Sequence, residues 1–157
     1  MSGDRIILSG ILTYVTLIPL PPLLADLQSR AFAEFGRRLE QAGYGELREG
    51  HGCVFRFVED EGSRLTDLAE RAGLSKQAVG EVVDDLQRLG YVERRPDPQD
   101  GRAKIIRLTP QGRDAQQTAQ QIFADIEREW AERIGPERVA ALREALEALA
   151  TEQLTAA

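Results

Sequence analysis

Apolar residues recur at every third or fourth position along most of this chain, and this period predicts a mainly helical protein. A first helix follows a proline-rich stretch and is expected to end at Gly43 and Gly45. One face of this helix is apolar and consists of Leu20, Leu24, Leu27, Ala31, Phe35 and Leu39. The charged residues of the stretch fall on the rest of the helix surface.

Two longer helices are predicted at the end of the chain. Thr109 and Pro110 suit the N-cap and first residue of a helix that continues to about Arg133. Its apolar stripe comprises Ala119, Ile122, Phe123, Ile126, Trp130 and Ile134. After Gly135 and Pro136, a last helix carries a seam at alternating three- and four-residue steps, formed by Val139, Leu142, Leu146, Leu149 and Gln153. Such a seam is typical of a helix that packs against a partner helix.

Shorter helices are predicted in the first part of the middle segment. One fits residues 51–62 and is expected to end at Gly62. Another fits residues 66–72, with Thr66 as its N-cap and Gly73 as the residue that terminates it.

A third short helix and a hairpin follow. Ser75 is the expected N-cap of the helix over 75–89, whose apolar face comprises Val79, Val82, Val83, Leu86 and Leu89. Residues 91–96 alternate in the manner of a short strand, residues 102–109 are predicted to form a second strand, and "DPQDG" between them is a turn sequence. The chain is therefore expected to be mainly α with a small β-hairpin.

Two short helices joined through "AGLS" and followed at once by a hairpin describe a winged helix-turn-helix. In this motif Ala69 is the expected small contact residue and Gly73 the expected turn glycine. The three expected core anchors are Leu74, Val79 and Leu86. The second helix then turns outward Lys76, Gln77, Gly80, Glu81 and Asp84. We expect this face to enter a DNA major groove, where Gln77 reads adenine and Lys76 reaches guanine or phosphate. The Ser75 hydroxyl and the open amides at the helix start suit a phosphate oxygen.

The charge distribution points to the hairpin. The chain carries 20 Lys and Arg against 26 Asp and Glu, a net charge of −6, which argues against nonspecific coating of nucleic acid or membrane. Residues 94–113 nevertheless hold six basic and two acidic side chains, a net +4 that leaves −10 for the rest. A wing in a minor groove, where the potential is negative, explains this concentration. Arg102 is the candidate for insertion, and Asp100 braces it or shapes the turn. The candidates to neutralise phosphates beside it are Arg94, Arg95 and Lys104.

The stretch "LTDLAERAGLSKQAVGEVVDDLQRLGYVERRPDPQDGRAKIIRLTPQGR" resembles the MarR family of bacterial transcriptional regulators. Its strongest element is D-x-R-x-x-x-x-x-L-T-x-x-G, here Asp100, Arg102, Leu108, Thr109 and Gly112. The resemblance implies a homodimer whose first and last helices intertwine and present two recognition helices to a pseudo-palindromic operator. Many members repress a nearby gene and release DNA when a small, often aromatic or anionic, ligand binds. Others respond to cysteine oxidation.

The recognition helix departs from the family pattern. Glu81, Asp84 and Asp85 stand where relatives commonly carry arginine or neutral residues. Carboxylates repel phosphates, so either the affinity for DNA is modest or Glu81 accepts from a cytosine amino group.

An apolar run before the first helix, within residues 6–18, also exceeds the usual N-terminal arm. Its length approaches that of a membrane span, but prolines at its end break a helix there. We interpret it as an extra packed helix or strand over the dimer interface or in the ligand cleft, or as a mis-assigned start. An uncleaved membrane anchor and a signal peptide are the alternatives.

Catalytic and metal chemistry find no support in the sequence. His51 and Cys53 lie two residues apart, so their side chains diverge by about 200° on a helix, and no acid is placed by sequence to orient the histidine. We interpret Cys53 as a core residue rather than a redox switch, and His51 as a candidate to contact a ligand. We interpret Phe123 and Trp130 as part of the dimer core rather than as an aromatic ligand-binding site. No phosphate-binding glycine loop, metal-spaced cluster or catalytic carboxylate pair is found, so we predict no enzyme, metal or cofactor.

We therefore predict a dimeric, sequence-specific DNA-binding regulator, ligand-responsive and repressing, which reads its operator with helix 75–89 and wing 94–107. Three regions are predicted: an apolar extension at 1–18, a helical dimerisation region at 19–45 and 110–157, and a winged helix-turn-helix DNA-binding region at 46–109. A single cysteine favours a reducing cytoplasm. The rival is a winged-helix protein that has lost operator binding and serves as a small-molecule or protein-binding module. A regulator tethered to a membrane through residues 6–18 is the third hypothesis.

Overall fold

The computed structural model describes residues 18–155, with side chains as far as Thr151. The elements in this part of the chain are α1 (Leu20–Gln41), α2 (Gly52–Phe57), β1 (Ser63–Arg64), α3 (Leu65–Ala72), α4 (Lys76–Arg88), β2 (Val92–Pro96), β3 (Lys104–Leu108), α5 (Pro110–Ile134) and α6 (Pro136–Thr155). A 3₁₀ turn over Glu49–His51 leads into α2. This mainly α architecture with a small β wing confirms the predicted fold class.

Most of the apolar run at 6–18 lies outside the described residues, and only Ile18 of it is seen, on the surface. Between residues 18 and 155, no helix combines the length and apolar character needed to cross a membrane.

Local signals fixed several helix ends as predicted. The Ser75 hydroxyl oxygen accepts from the amide of Ala78 at 3.1 Å and caps α4. The Thr109 hydroxyl oxygen accepts from the amide of Gly112 at 3.0 Å and caps α5. Gly73 ends α3 in the left-handed region, at φ 64°.

Two predictions for the first part of the middle segment were wrong. The helix predicted over 51–62 ends at Phe57, because Val58 is extended and Glu59 to Gly62 form a turn closed by the amide of Gly62. Thr66 is not an N-cap, since α3 already begins at Leu65. The Thr66 hydroxyl instead donates to the carboxylate of Asp67.

Leu74 also differs from the prediction, since 48% of it is exposed rather than packed in the core. It belongs to the turn between α3 and α4, and its backbone amide donates to the carbonyl of Ala69 at 3.0 Å. Leu74 therefore supports the turn through its backbone.

The wing is a three-stranded antiparallel sheet in the order β1-β3-β2, and not only a hairpin. Val92 pairs with Leu108 and Pro96 with Lys104 in the predicted hairpin. The unpredicted strand β1 adds Ser63 opposite Ile106. This third strand joins the wing to the start of the helix-turn-helix.

The core has two parts. The larger lies between α2, α3, α4, the sheet and the start of α5, and its most enclosed side chains are Val54, Leu68, Val79, Val83, Leu86, Tyr91, Val92 and Ile106. The buried face predicted for α4 is thereby confirmed. The smaller part joins α1 to α5 through Leu39, Ile122 and Ile126.

The terminal helices keep apolar side chains on their surface. Those exposed on α1 and α6 are Leu20, Leu23, Leu24, Leu27, Leu146 and Leu149. All of these except Leu23 are positions of the stripe and seam seen in the sequence. In the described part of the single chain, these side chains are 37% to 73% exposed.

Candidate nucleic-acid interface

The start of α4 presents polar side chains to solvent. Ser75, Lys76 and Gln77 are all exposed. The Gln77 amide nitrogen donates to the Glu81 carboxylate at 3.2 Å, one helical turn further on. Gln77 and Glu81 therefore form one polar unit on this surface.

Gly80 lies beside this unit but is half-buried. A Cβ on Gly80 would lie 3.8 Å from Cδ2 of Leu65 on α3, an ordinary contact. Gly80 thus lies where α4 meets α3, and it is less outward than the sequence suggested.

The acidic residues that depart from the family pattern have partners within the chain. A carboxylate oxygen of Asp84 lies 2.7 Å from a guanidinium nitrogen of Arg94 on β2. The same guanidinium donates to the side-chain oxygen of Gln87 at 2.6 Å. Arg94, predicted as a phosphate contact, therefore ties the wing to α4.

Asp85, the next residue, is held from a different side. One of its oxygens accepts from Arg88, and the other lies 3.0 Å from Nε2 of His51. The hydrogen bond from Arg88, and to a smaller extent the one from His51, holds the pKa of the Asp85 carboxyl below its ordinary value. Two successive carboxylates of α4 are thus fixed by two different parts of the protein.

The wing tip carries exposed positive charge. Arg102 and Lys104 are exposed. Asp100 shapes the turn, because its carboxylate accepts from the backbone amide of Arg102 at 3.1 Å. Arg95 is exposed but pairs with Glu93 at 2.9 Å and holds the pKa of Glu93 below its ordinary value.

The base of the wing is braced by a pair that the sequence did not reveal. Asp97 is buried, and Arg64 on β1 contacts it at 2.6 Å. The amide of Gln99 also donates to Asp97, and this hydrogen bond, together with the smaller effect of Arg64, holds the pKa of the Asp97 carboxyl below its ordinary value. The Asp-Pro start of the turn was visible in the sequence, but its partner 33 residues earlier was not.

A cleft of about 1060 Å³ lies between the terminal helices and the helix-turn-helix region. Its aromatic wall includes Phe35 and Phe123, whose rings stack with centroids 4.3 Å apart. Phe57 also lines the cleft, and the guanidinium groups of Arg56 and Arg71 lie 5.1 and 5.5 Å from the centre of its ring. The cleft therefore combines aromatic surface with positive charge.

Cys53 and His51 both line this cleft. Burial raises the pKa of the Cys53 thiol, which does not favour the reactive thiolate. His51 is 5% exposed, and both of its ring nitrogens have partners. The sequence near His51 contains no acid placed to orient its ring, but in the fold Asp85, 34 residues away, contacts the ring. Among the described residues, no three His, Cys, Asp or Glu side chains gather in a way that suits a metal ion.

The comparisons with known proteins agree with this arrangement. A model described as MarR family matches residues 50–103. CouR from Rhodococcus jostii RHA1 bound to p-coumaroyl-CoA is 26% identical, with a TM-score of 0.67 over 83% of this chain and 91% of that one. The transcriptional repressor CouR bound to a 23-mer DNA duplex gives 24% identity and a TM-score of 0.71 over 84% and 92%.

A third solved structure is the transcriptional regulator BldR from Sulfolobus solfataricus, 24% identical, with a TM-score of 0.65 over 85% of this chain and 93% of BldR. No curated protein matches the sequence. Helices α3 and α4, followed by a sheet with a basic tip, define a winged helix-turn-helix protein. Residues 50–103 are thus similar to the MarR family, and the solved structures of transcriptional regulators share the fold of this chain.

Proposed function

We propose that this chain is a dimeric transcriptional repressor that reads a pseudo-palindromic DNA operator with α4 and the wing. The observation that carries this proposal is the exposure of Arg102 and Lys104 at the wing tip, with the polar start of α4 also open to solvent. In this proposal α4 enters the major groove and Arg102 enters the adjacent minor groove. Because duplex DNA is the partner, we place the protein in the cytoplasm.

The DNA contacts proposed for α4 are Ser75, Lys76, Gln77, Gly80 and Glu81. Of these, Gln77 and Glu81 read bases as a pair, because the hydrogen bond between them fixes the orientation of the Gln77 amide. Lys76 and Ser75 contact phosphate or guanine near the helix start. On the wing, Arg102 and Lys104 are the principal cations, since Arg94 and Arg95 are engaged within the chain.

The second copy of the chain is proposed to cover the exposed leucines of α1 and α6. An isolated protomer would leave these apolar side chains in water, and their burial favours association. The dimer would place two α4 helices about 34 Å apart, one turn of the duplex.

An anionic aromatic molecule is proposed as the effector, bound in the cleft. The stacked phenyl rings of Phe35 and Phe123 offer a surface for an aromatic ring. Arg56 and Arg71 offer positive charge at the same cleft. Binding there would change the spacing of the two DNA-binding regions.

Selection of bound sequences from random duplexes tests the proposal. Purified protein should enrich a two-fold symmetric site and bind it far more tightly than a scrambled duplex of equal length. The affinity should fall steeply as salt rises, because phosphate contacts release counterions. Equal and weak binding to both duplexes would instead favour a winged-helix protein that has lost operator binding, a second candidate that the exposed carboxylate of Glu81 favours.

A further inference from the structure

His51 joins the cleft to the recognition helix through both nitrogens of its ring. The backbone amide of Arg48 donates to Nδ1 at 3.1 Å, so Nδ1 carries no proton. The neutral ring therefore carries its proton on Nε2 and donates it to Asp85 on α4 at 3.0 Å. The ring is almost wholly enclosed, but it also forms part of the cleft wall.

Asp85 is well placed to pass a change at the cleft to the reading face. Residues 77, 81 and 85 are spaced four apart and form one row along α4. The first two of these side chains, Gln77 and Glu81, are already joined by a hydrogen bond. Asp85 therefore lies in the row of α4 that carries the proposed base contacts.

The bond from His51 can open without stranding the carboxylate. Arg88 also donates to Asp85 and remains its partner when the ring leaves. The freed Nε2–H of His51 needs another acceptor, because a buried donor without a partner is unfavourable. A carboxylate or phosphate group in the cleft is an acceptor of the same kind as Asp85.

We propose that His51 is a positioning residue that switches its Nε2–H from Asp85 to an anionic group in the cleft and thereby loosens α4. This inference rests on the proposed function and adds the route by which the cleft is coupled to DNA binding. Arg48 and Arg56 on the cleft wall attract the anion, whereas Arg71 pairs with Glu59 at 2.8 Å. Glu49 and Glu127 are the acidic groups of the cleft wall, and Arg143 already neutralises Glu127 through an ion pair.

Cys53 allows the anion to be placed in the cleft covalently. It is the single cysteine of the chain, and it lines the cleft two residues after His51. Iodoacetate leaves a carboxymethyl group on the thiol, and iodoacetamide leaves a neutral carboxamidomethyl group of nearly the same shape. Labelling at about pH 9 overcomes the raised pKa of the half-buried thiol.

The two adducts are compared for affinity to the duplex selected by the unmodified protein and to a scrambled duplex. We expect the carboxymethyl adduct to lower affinity for the selected duplex about tenfold relative to the carboxamidomethyl adduct, with little effect on the scrambled one. His51→Asn keeps an acceptor near Nδ1 but loses the donor to Asp85, so both adducts should then bind alike. His51→Gln keeps a donor near Nε2 and should restore the difference.

Asp85→Ala provides a second variant at a partly exposed site, should His51→Asn fail to fold. It removes the acceptor on α4, and it should bind the selected duplex weakly whichever adduct is present. Equal affinity of the two adducts in the otherwise unaltered protein would overturn the inference, as would an equal difference in His51→Asn. A protein that does not distinguish the selected duplex from the scrambled one would overturn the proposed function itself.

Discussion

Gly112 lies directly against the backbone carbonyl of Tyr91, so that a Cβ added to Gly112 would stand only 2.0 Å from that oxygen. The same oxygen accepts from the backbone amide of Thr109 at 3.0 Å and from the Thr109 hydroxyl at 3.2 Å. The first turn of α5 is therefore fixed to the residue that precedes the wing. This contact gives a physical reason for the glycine that closes the L-T-x-x-G motif.

Gly112→Ala should destabilise the protein by about 3 kcal/mol, because the new methyl group must displace backbone rather than a flexible side chain. Thermal or urea unfolding measures the change. Gly52→Ala is the matched control, since Gly52 begins α2 with helical angles and no atom within 4 Å of its Cβ position. The control should be neutral or slightly stabilising. Equal stability of the two variants would contradict the close contact.

Features that depend on a few neighbouring residues were predictable from the sequence. The Ser75 and Thr109 caps accept from amides three residues ahead, so the type of residue and its place before an apolar period are sufficient. The core face of α4 follows from the helical period in the same way. Strand β1 was missed because two residues, Ser63 and Arg64, show no period and gain their strand conformation by pairing with β3.

Contacts between distant segments could not be read in this way. Arg64 and Asp97 are 33 residues apart, and His51 and Asp85 are 34 apart, so only the fold shows that they meet. The carboxylates of α4 were expected to oppose phosphates because a helical pattern shows which residues face outward but not what they contact.

Arg102→Ala should weaken binding to the selected duplex and reduce the magnitude of the slope of log K against log salt by up to about 0.9, because a cation held in the minor groove also displaces a condensed counterion. Its melting temperature should not change, because the side chain is exposed at the wing tip. Arg133→Ala, in the exposed last turn of α5, is the control. Full binding by Arg102→Ala at moderate salt would show that the wing does not contact DNA in the proposed way.

Asp84→Asn distinguishes a tether from a phosphate contact at Arg94. If Arg94 positions the wing relative to α4, loss of the carboxylate should weaken binding to the selected duplex by up to about fivefold, within the range of an exposed ion pair. If Arg94 contacts phosphate instead, the substitution frees its guanidinium and removes a negative charge, so binding should strengthen. Titrations at several salt concentrations give the sign. We expect Asp84→Asn to weaken DNA binding. We also expect Arg94→Gln to leave the slope of log K against log salt unchanged.

Tyr91→Phe should make stability less sensitive to alkaline pH. Burial, and then the hydrogen bond to the Glu46 carboxylate, raise the pKa of Tyr91 from 10 to about 12. Between these values the unfolded chain releases the phenolic proton while the folded chain keeps it, so stability is complete below pH 10 and falls as pH rises towards 12. Urea unfolding across this range should show a shallower decline for the variant. An identical decline in both proteins would exclude Tyr91 as its source.

Leu149→Glu, alone or with Leu24→Glu, should convert the proposed dimer into monomers. Both leucines are exposed on the terminal helices of the single chain, 61% for Leu149 and 38% for Leu24, and a dimer that buries them would have to bury the new carboxylates. Sedimentation equilibrium measures the mass, and circular dichroism should show that the helices persist. Ala124→Glu, on the exposed surface of α5, is the control for an added charge.

The monomer should also bind DNA differently. It should keep a weak affinity for a half-site, but it should lose the higher affinity for the symmetric duplex that two linked recognition helices provide. Unchanged mass in the double variant would place the dimer interface elsewhere and leave the apolar faces of α1 and α6 without their proposed partner.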